Sequence, residues 1–227
     1  MSVQFRVISI GALGTHPLWE ERTPQRADHA TTVLVASGDE RILVDPSLPP
    51  QLLEARMKDR TRIRPAEITR VFLTSFHPMR RRGLALFDEA RWCLDARERD
   101  ALQVSLQEKL EEADRAGDTE LAATVRSELS VLGRCEPAPD HLAEGVDLFP
   151  LPGDTPGTCG LLLALPGQTV LVCGDAVATV EHLERGMVLP GAHDVKQAQT
   201  SFMEAVEIAD LLVPGRDNLV LNPMRRF

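Results

Sequence analysis

Apolar and polar residues alternate over positions 3–10, VQFRVISI, a period-two pattern that predicts a strand with one buried face. A polar loop follows, GTHPLWEERTPQRADH at 14–29, crowded with turn formers and charges. TTVLVAS (31–37) and RILVDP (41–46) then read as two strands around the turn GDE. PQLLEARMKDR (50–60) predicts a short helix that opens on a proline, where the missing N–H costs nothing. ITRVFLTS (68–75) is the next strand, and GLALFDEARWCLD (83–95) holds a short helix and then a strand.

The period changes at 98–132. Leu102, Leu106 and Leu110 recur every four residues, as do Leu121, Val125 and Leu129 beyond the break AGDT. This predicts an amphipathic helical hairpin with a solvated charged face, Asp118 capping its second helix and Gly133 ending it. Nothing in it looks catalytic. CEPAPDHLAEG (135–145) reads as a loop, after which the strand pattern returns in VDLFPL (146–151), CGLLLAL (159–165) and TVLVCG (169–174). ATVEHLERG is a short helix. A longer one spans about 194–210, with Asp194 as N-cap and Val195, Ala198, Phe202, Val206 and Ala209 on one face; LLVPG (211–215) closes with a strand. Strands in two clusters, each flanked by helices, predict a single α/β domain over 1–227, an αββα sandwich with the hairpin as an insertion.

Composition narrows the function classes. A net charge of −9 argues against a nucleic-acid or anionic-membrane partner, which would need a broad basic footprint. The four cysteines form no CxxC pair, and Cys159 and Cys173 lie in apolar runs as small buried hydrophobes. The N-terminus lacks the pattern of a signal peptide, and no apolar run approaches the roughly 20 residues of a membrane span, so a cytoplasmic protein is expected.

The candidate chemistry lies where apolar strands run into loops. LVDPS holds Asp45; VFLTSFHPMRRRG holds Ser75, His77 and Arg80; LPGDTPGTCG holds Asp154; TVLVCGDAV holds Asp175; and LLVPGRDN holds Arg216. In this order and spacing the chain resembles the metallo-β-lactamase-fold superfamily from about residue 5 to 220. The family's T-H-x-H-x-D-H loop aligns with Thr74, Ser75, Phe76, His77, Pro78, Met79 and Arg80. Its P-G-H histidine aligns with Asp154, its G-D-A aspartate with Asp175, and its V-P-G-H histidine with Arg216. Five of the seven metal positions that the resemblance implies therefore carry another residue: Ser75, Met79, Arg80, Asp154 and Arg216.

The resemblance implies two metal ions about 3.5–4 Å apart that activate water and stabilise the attacked oxygen. Carried over by position, the first metal would meet Ser75, His77, Asp154 and Asp175, and the second Met79, Arg80, Arg216 and the same Asp175. A guanidinium has no lone pair to offer a cation and stays charged. Arg80 and Arg216 are thus expected to fill the second metal's volume and neutralise Asp175, and also Asp154. His77, Asp154 and Asp175 keep the ligand types for a single Zn, Mn or Fe; the competing reading is a hydrogen-bonded His77 above a salt-bridged floor with no cofactor.

His29 is a candidate for the pocket wall, and His16 with Trp19 either covers the site or belongs to a surface loop. His182 reads as structural, His141 and His193 carry no signal, and Asp45 is expected to brace the site loops. Neither Ser75 nor Ser201 has a histidine base at a motif position, so a Ser–His–Asp triad is unsupported. Arg81 and Arg82 are expected to face solvent. Three functions remain open: a non-catalytic member of the fold, a protein that clamps a small carboxylate or phosphate with Arg80 and Arg216, and a one-metal hydrolase of esters, lactones, thioesters or phosphodiesters using His77, Asp154 and Asp175. Oligomeric state and pathway are not readable from the chain.

Overall fold

The computed structural model describes residues 3–225. The first half of the chain builds strands β1 (Gln4–Ser9), β2 (Thr32–Ser37), β3 (Glu40–Val44), β4 (Arg70–Leu73), β5 (Arg91–Leu94) and β6 (Cys135–Pro137). They form one six-stranded sheet in sequence order. The second half builds β7 (His141–Ala143), β8 (Val146–Pro150), β9 (Cys159–Leu165), β10 (Gln168–Gly174), β11 (Leu211–Pro214) and β12 (Val220–Leu221), again in order across a second six-stranded sheet. Hairpin neighbours pair antiparallel; β3, β4, β5 and β6 run parallel to one another, as do β10 and β11.

The sheets pack face to face. Val33, Val35, Ile42, Val44 and Phe72 of the first meet Leu161, Leu163, Val170, Val172 and Val213 of the second, all buried. The opposite face of the first sheet packs under α1 (Pro50–Arg60) and the helical hairpin of α2 (Ala96–Ala116) and α3 (Thr119–Arg134). The opposite face of the second packs under α4 (Val180–Arg185) and α5 (Val195–Ile208). The result is the expected αββα sandwich. Its interior holds much Leu and Val burial, each such side chain contributing about 1.5–3 kcal/mol. All four cysteines are free and buried, and burial pushes the thiols of Cys93, Cys135, Cys159 and Cys173 up.

Several boundaries depart from the periodicity. The segment 135–145 contains β6 and β7 rather than a plain loop: β6 exists through parallel pairing with β5, a partner far away in sequence. The hairpin is longer than 98–132, and α3 runs through Gly133 to Arg134. It is α2 that ends on glycine, with Gly117 left-handed at φ 71°. Val195 is exposed, since it occupies the first, solvent-facing turn of α5 after the Asp194 cap. Among the described residues, no helix is long and apolar enough to cross a membrane.

Candidate functional site

The site sits where β3, β4, β10 and β11 end. Each strand delivers one charged group from a buried position: Asp45 after β3, Arg80 after β4, Asp175 after β10 and Arg216 after β11. Asp45 has a left-handed backbone, φ 47°, which aspartate tolerates better than most residues. Its carboxylate accepts the Thr74 backbone N–H at 2.9 Å and the Thr74 hydroxyl at 2.7 Å, tying the turn after β3 to the loop after β4.

Arg80 is fully buried. One nitrogen donates to Asp45 Oδ2 at 2.6 Å and another lies 2.5 Å from Asp175 Oδ2. Arg216 reaches Asp175 from the other side: Nε is 3.0 Å from Oδ1 and Nη2 is 2.9 Å from Oδ2. Its Nη1 holds Asp28 at 2.6 Å and also meets the Met79 sulfur. The four loop ends are therefore joined by a chain of ion pairs, Asp45–Arg80–Asp175–Arg216–Asp28. Removing one member of such a buried pair strands the other without a counter-charge.

The chain of charges sets the protonation of its neighbours. Burial alone would raise the Asp175 carboxyl, but Arg216 and Arg80 beside it hold it well below the usual carboxylate range. Asp154 takes no direct ion pair from either arginine. Its own burial, then the negative charge of Asp175, pushes it up to about 6. His77 is exposed on its outer side, while the protein packed behind it and the charges of Arg216 and Arg80 push its imidazole below the usual value. Its Nδ1 lies 3.4 Å from the Met79 backbone N–H, which caps the short turn 78–80. The Ser75 hydroxyl is buried with no hydrogen-bond partner among the described residues.

The bracing of these loops comes partly from the hairpin. Glu98, in the first turn of α2, is buried, and its two oxygens accept the backbone N–H groups of Phe76 at 3.1 Å and Gly157 at 3.0 Å. A β-carbon on Gly157 would lie 2.1 Å from the Glu98 nitrogen, so only glycine allows this approach. The sequence pattern assigned the charges of this helix to a wet surface; Glu98 corrects that. Arg81 also departs from expectation. It stacks on the Phe76 ring at 4.1 Å, donates to the Phe76 carbonyl and pairs with Glu128, because the hairpin lies over it. Arg82 stays exposed.

His29 lies beside Asp28, but its ring nitrogens meet the carbonyl oxygens of Ala27 and Ile10, both at 2.9 Å, and it lines a separate cavity with Leu48, Leu52 and Arg56. His16 is buried, stacked on Trp19 at 4.1 Å, with Nε2 3.2 Å from the Thr179 hydroxyl. The loop it belongs to therefore packs against the start of α4 and near Arg216.

The sequence profile of the metallo-beta-lactamase superfamily matches residues 26–213. The chain belongs to this superfamily. Among solved structures of the fold, a metallo-beta-lactamase-like protein from Thermotoga maritima is 20% identical, with a TM-score of 0.70 over 97% of this chain and all of that one. AidC, a dizinc quorum-quenching lactonase bound to a product, is 17% identical with a TM-score of 0.63, covering 91% of this chain and 80% of AidC. AiiA of B. thuringiensis, with N-decanoyl-L-homoserine at its active site, is 16% identical with a TM-score of 0.62, covering 95% and 93%. A search of curated proteins gives no match.

Two metals, as the metallo-beta-lactamase fold implies, do not fit the donors at the corresponding positions. The Asp175 carboxylate is instead hydrogen-bonded to the Arg216 guanidinium and ion-paired with that of Arg80, and neither arginine has a lone pair to give. Among the described residues, no three His, Cys, Asp or Glu side chains gather in a group able to hold a metal ion. Asp28 was not legible as Arg216's partner, since it lies nearly the whole chain away in a loop without a motif. The Arg80–Asp45 contact likewise leaves no mark in the sequence, since the two residues sit in separate loops 35 residues apart.

Proposed function

We propose that this protein is a metallo-beta-lactamase-fold member that works without the dinuclear centre and without hydrolase chemistry, as a binding or scaffold protein. The observation that carries the reading is Asp175: two arginines of the same chain supply the positive charge that metals would bring, and one of them is wholly buried. A second reading, binding of a small carboxylate or phosphate, rests on Asp28. Its side chain is 35% exposed and holds Arg216 Nη1 through a single contact, so an outside anion is able to replace it.

The test is metal analysis of protein purified without an affinity tag, combined with assays on esters, lactones, thioesters and phosphodiesters, with and without added Zn or Mn. The expected result is far less than one metal per chain and no turnover above background. Stoichiometric metal together with activity that disappears in His77→Ala would overturn the proposal in favour of a one-metal hydrolase. Thermal stabilisation by phosphate or acetate, lost in Arg216→Ala, would favour the anion-binding form.

A further inference from the structure

A cleft of about 520 Å³ opens at the edge of the first sheet, where α1 stops short of covering β1 and β2. Its floor is the face of the sheet on which Arg6 pairs with Leu34, and Gln4 with Ala36. Its wall is the last turn of α1 and the segment running on to Ile63. Arg6 donates to the carbonyl of Arg60, which fastens the helix end to the edge strand.

The charge of this cleft is out of keeping with the chain. Arg6, Lys58, Arg60 and Arg62 line it, and Arg56 lines the adjoining cavity together with Arg60. All five are exposed, and none forms an ion pair among the described residues. Asp59 is the one acidic residue in the walls of the two cavities. The carbonyl end of a helix attracts basic side chains, but it amounts to only about half a negative charge. Five positive charges against one carboxylate and that half charge leave a local surplus of about 3.5, on a chain whose net charge is −9.

We propose that this cleft binds a small polyanion of the diphosphate type. The surplus calls for more than one negative charge, and guanidiniums chelate phosphate oxygens in pairs. A long polyanion such as a nucleic acid, or an anionic membrane, would extend beyond the cleft onto a surface where acidic residues outnumber basic ones, 34 to 25 over the chain, and be repelled. A compact one meets walls on which the basic residues outnumber the single carboxylate of Asp59. Leu34 and Ile63 give an apolar strip beside the cations on which an attached ring rests. The cleft shares no residue with the Asp175 cluster, so this inference stands apart from the loss of metal chemistry.

The experiment is isothermal titration calorimetry on the whole protein at low salt with inorganic pyrophosphate, ADP and orthophosphate. Saturable binding is expected for the first two, with orthophosphate at least about tenfold weaker and all affinities falling as salt rises. Lys58→Glu/Arg62→Glu, two exposed positions that hold no structural contact, should weaken binding by at least about tenfold. The matched control Lys109→Glu/Lys196→Glu should leave it unchanged. Tighter binding of ADP than of pyrophosphate identifies a nucleotide-like ligand, and the reverse a free polyphosphate. Absence of saturable binding by both probes, or equal loss in the two double variants, overturns the proposal.

Discussion

Arg80→Met removes the most buried charged side chain among the described residues while keeping much of its volume. Arg80 lies between Asp45 and Asp175, at 2.6 and 2.5 Å. Asp175 retains Arg216 in the variant, but Asp45 keeps only the bonds from Thr74. Leaving one member of a buried pair uncompensated costs about 3–5 kcal/mol. A chain of this size loses about 2–4 °C per kcal/mol, so the melting temperature should fall by about 6–20 °C. Adding Asp45→Asn relieves the stranded carboxylate, and asparagine accepts the left-handed backbone there. The double variant should therefore be more stable than Arg80→Met alone, a coupling of at least about 1 kcal/mol by urea denaturation. Melting temperatures of Arg80→Met and the parent within experimental error of each other would refute the claim that the arginine neutralises the loop ends. Additive effects of the two substitutions would refute the pairing with Asp45.

Glu98→Gln puts an amide N–H₂ against one of the two backbone donors that Glu98 now satisfies, Phe76 and Gly157; urea denaturation should show a loss of about 1–3 kcal/mol. Asp154→Asn tests the raised carboxyl. A carboxyl that holds its proton up to about 6 when folded, and releases it near 3.8 when unfolded, stabilises the fold most below the unfolded value, and that contribution is lost as pH rises through about 6. Asp175, held low, acts with the opposite sign: its contribution is present above the unfolded value and lost as pH falls through its depressed folded one. Asp154→Asn should flatten the part of the melting-temperature profile between about pH 4 and 6 and leave the acid limb carried by Asp175 in place; an unchanged profile in that window would count against the assignment.

Local order in the chain was readable wherever neighbours in sequence decide it. The proline-led α1 occupies 50–60 as its pattern predicts, Asp194 caps α5 through Lys196 and Gln197, and Asp118 caps α3 through Leu121. The strand-end loops mark Asp45, Arg80, Asp175 and Arg216 in the sequence itself. What stayed hidden depends on distant partners. β6 needs β5, Arg216 needs Asp28 across almost the full length of the chain, and Glu98 needs the backbone N–H groups of two loops distant from it in sequence. A glutamate in the first turn of a charged helix offers no periodic cue that it points inward, since an N-terminal acidic residue is explained equally well by the helix dipole.

A bound metal stabilises a protein only by mass action, in proportion to the logarithm of its free concentration over its dissociation constant. The counter-charges of Asp175 are instead tethered to the same polypeptide by Arg80 and Arg216. Dilution, chelators and scarcity of zinc have no purchase on such a pair of ions. The stability that these charges lend the centre of this sandwich is thus carried by the chain itself, and it follows pH and salt.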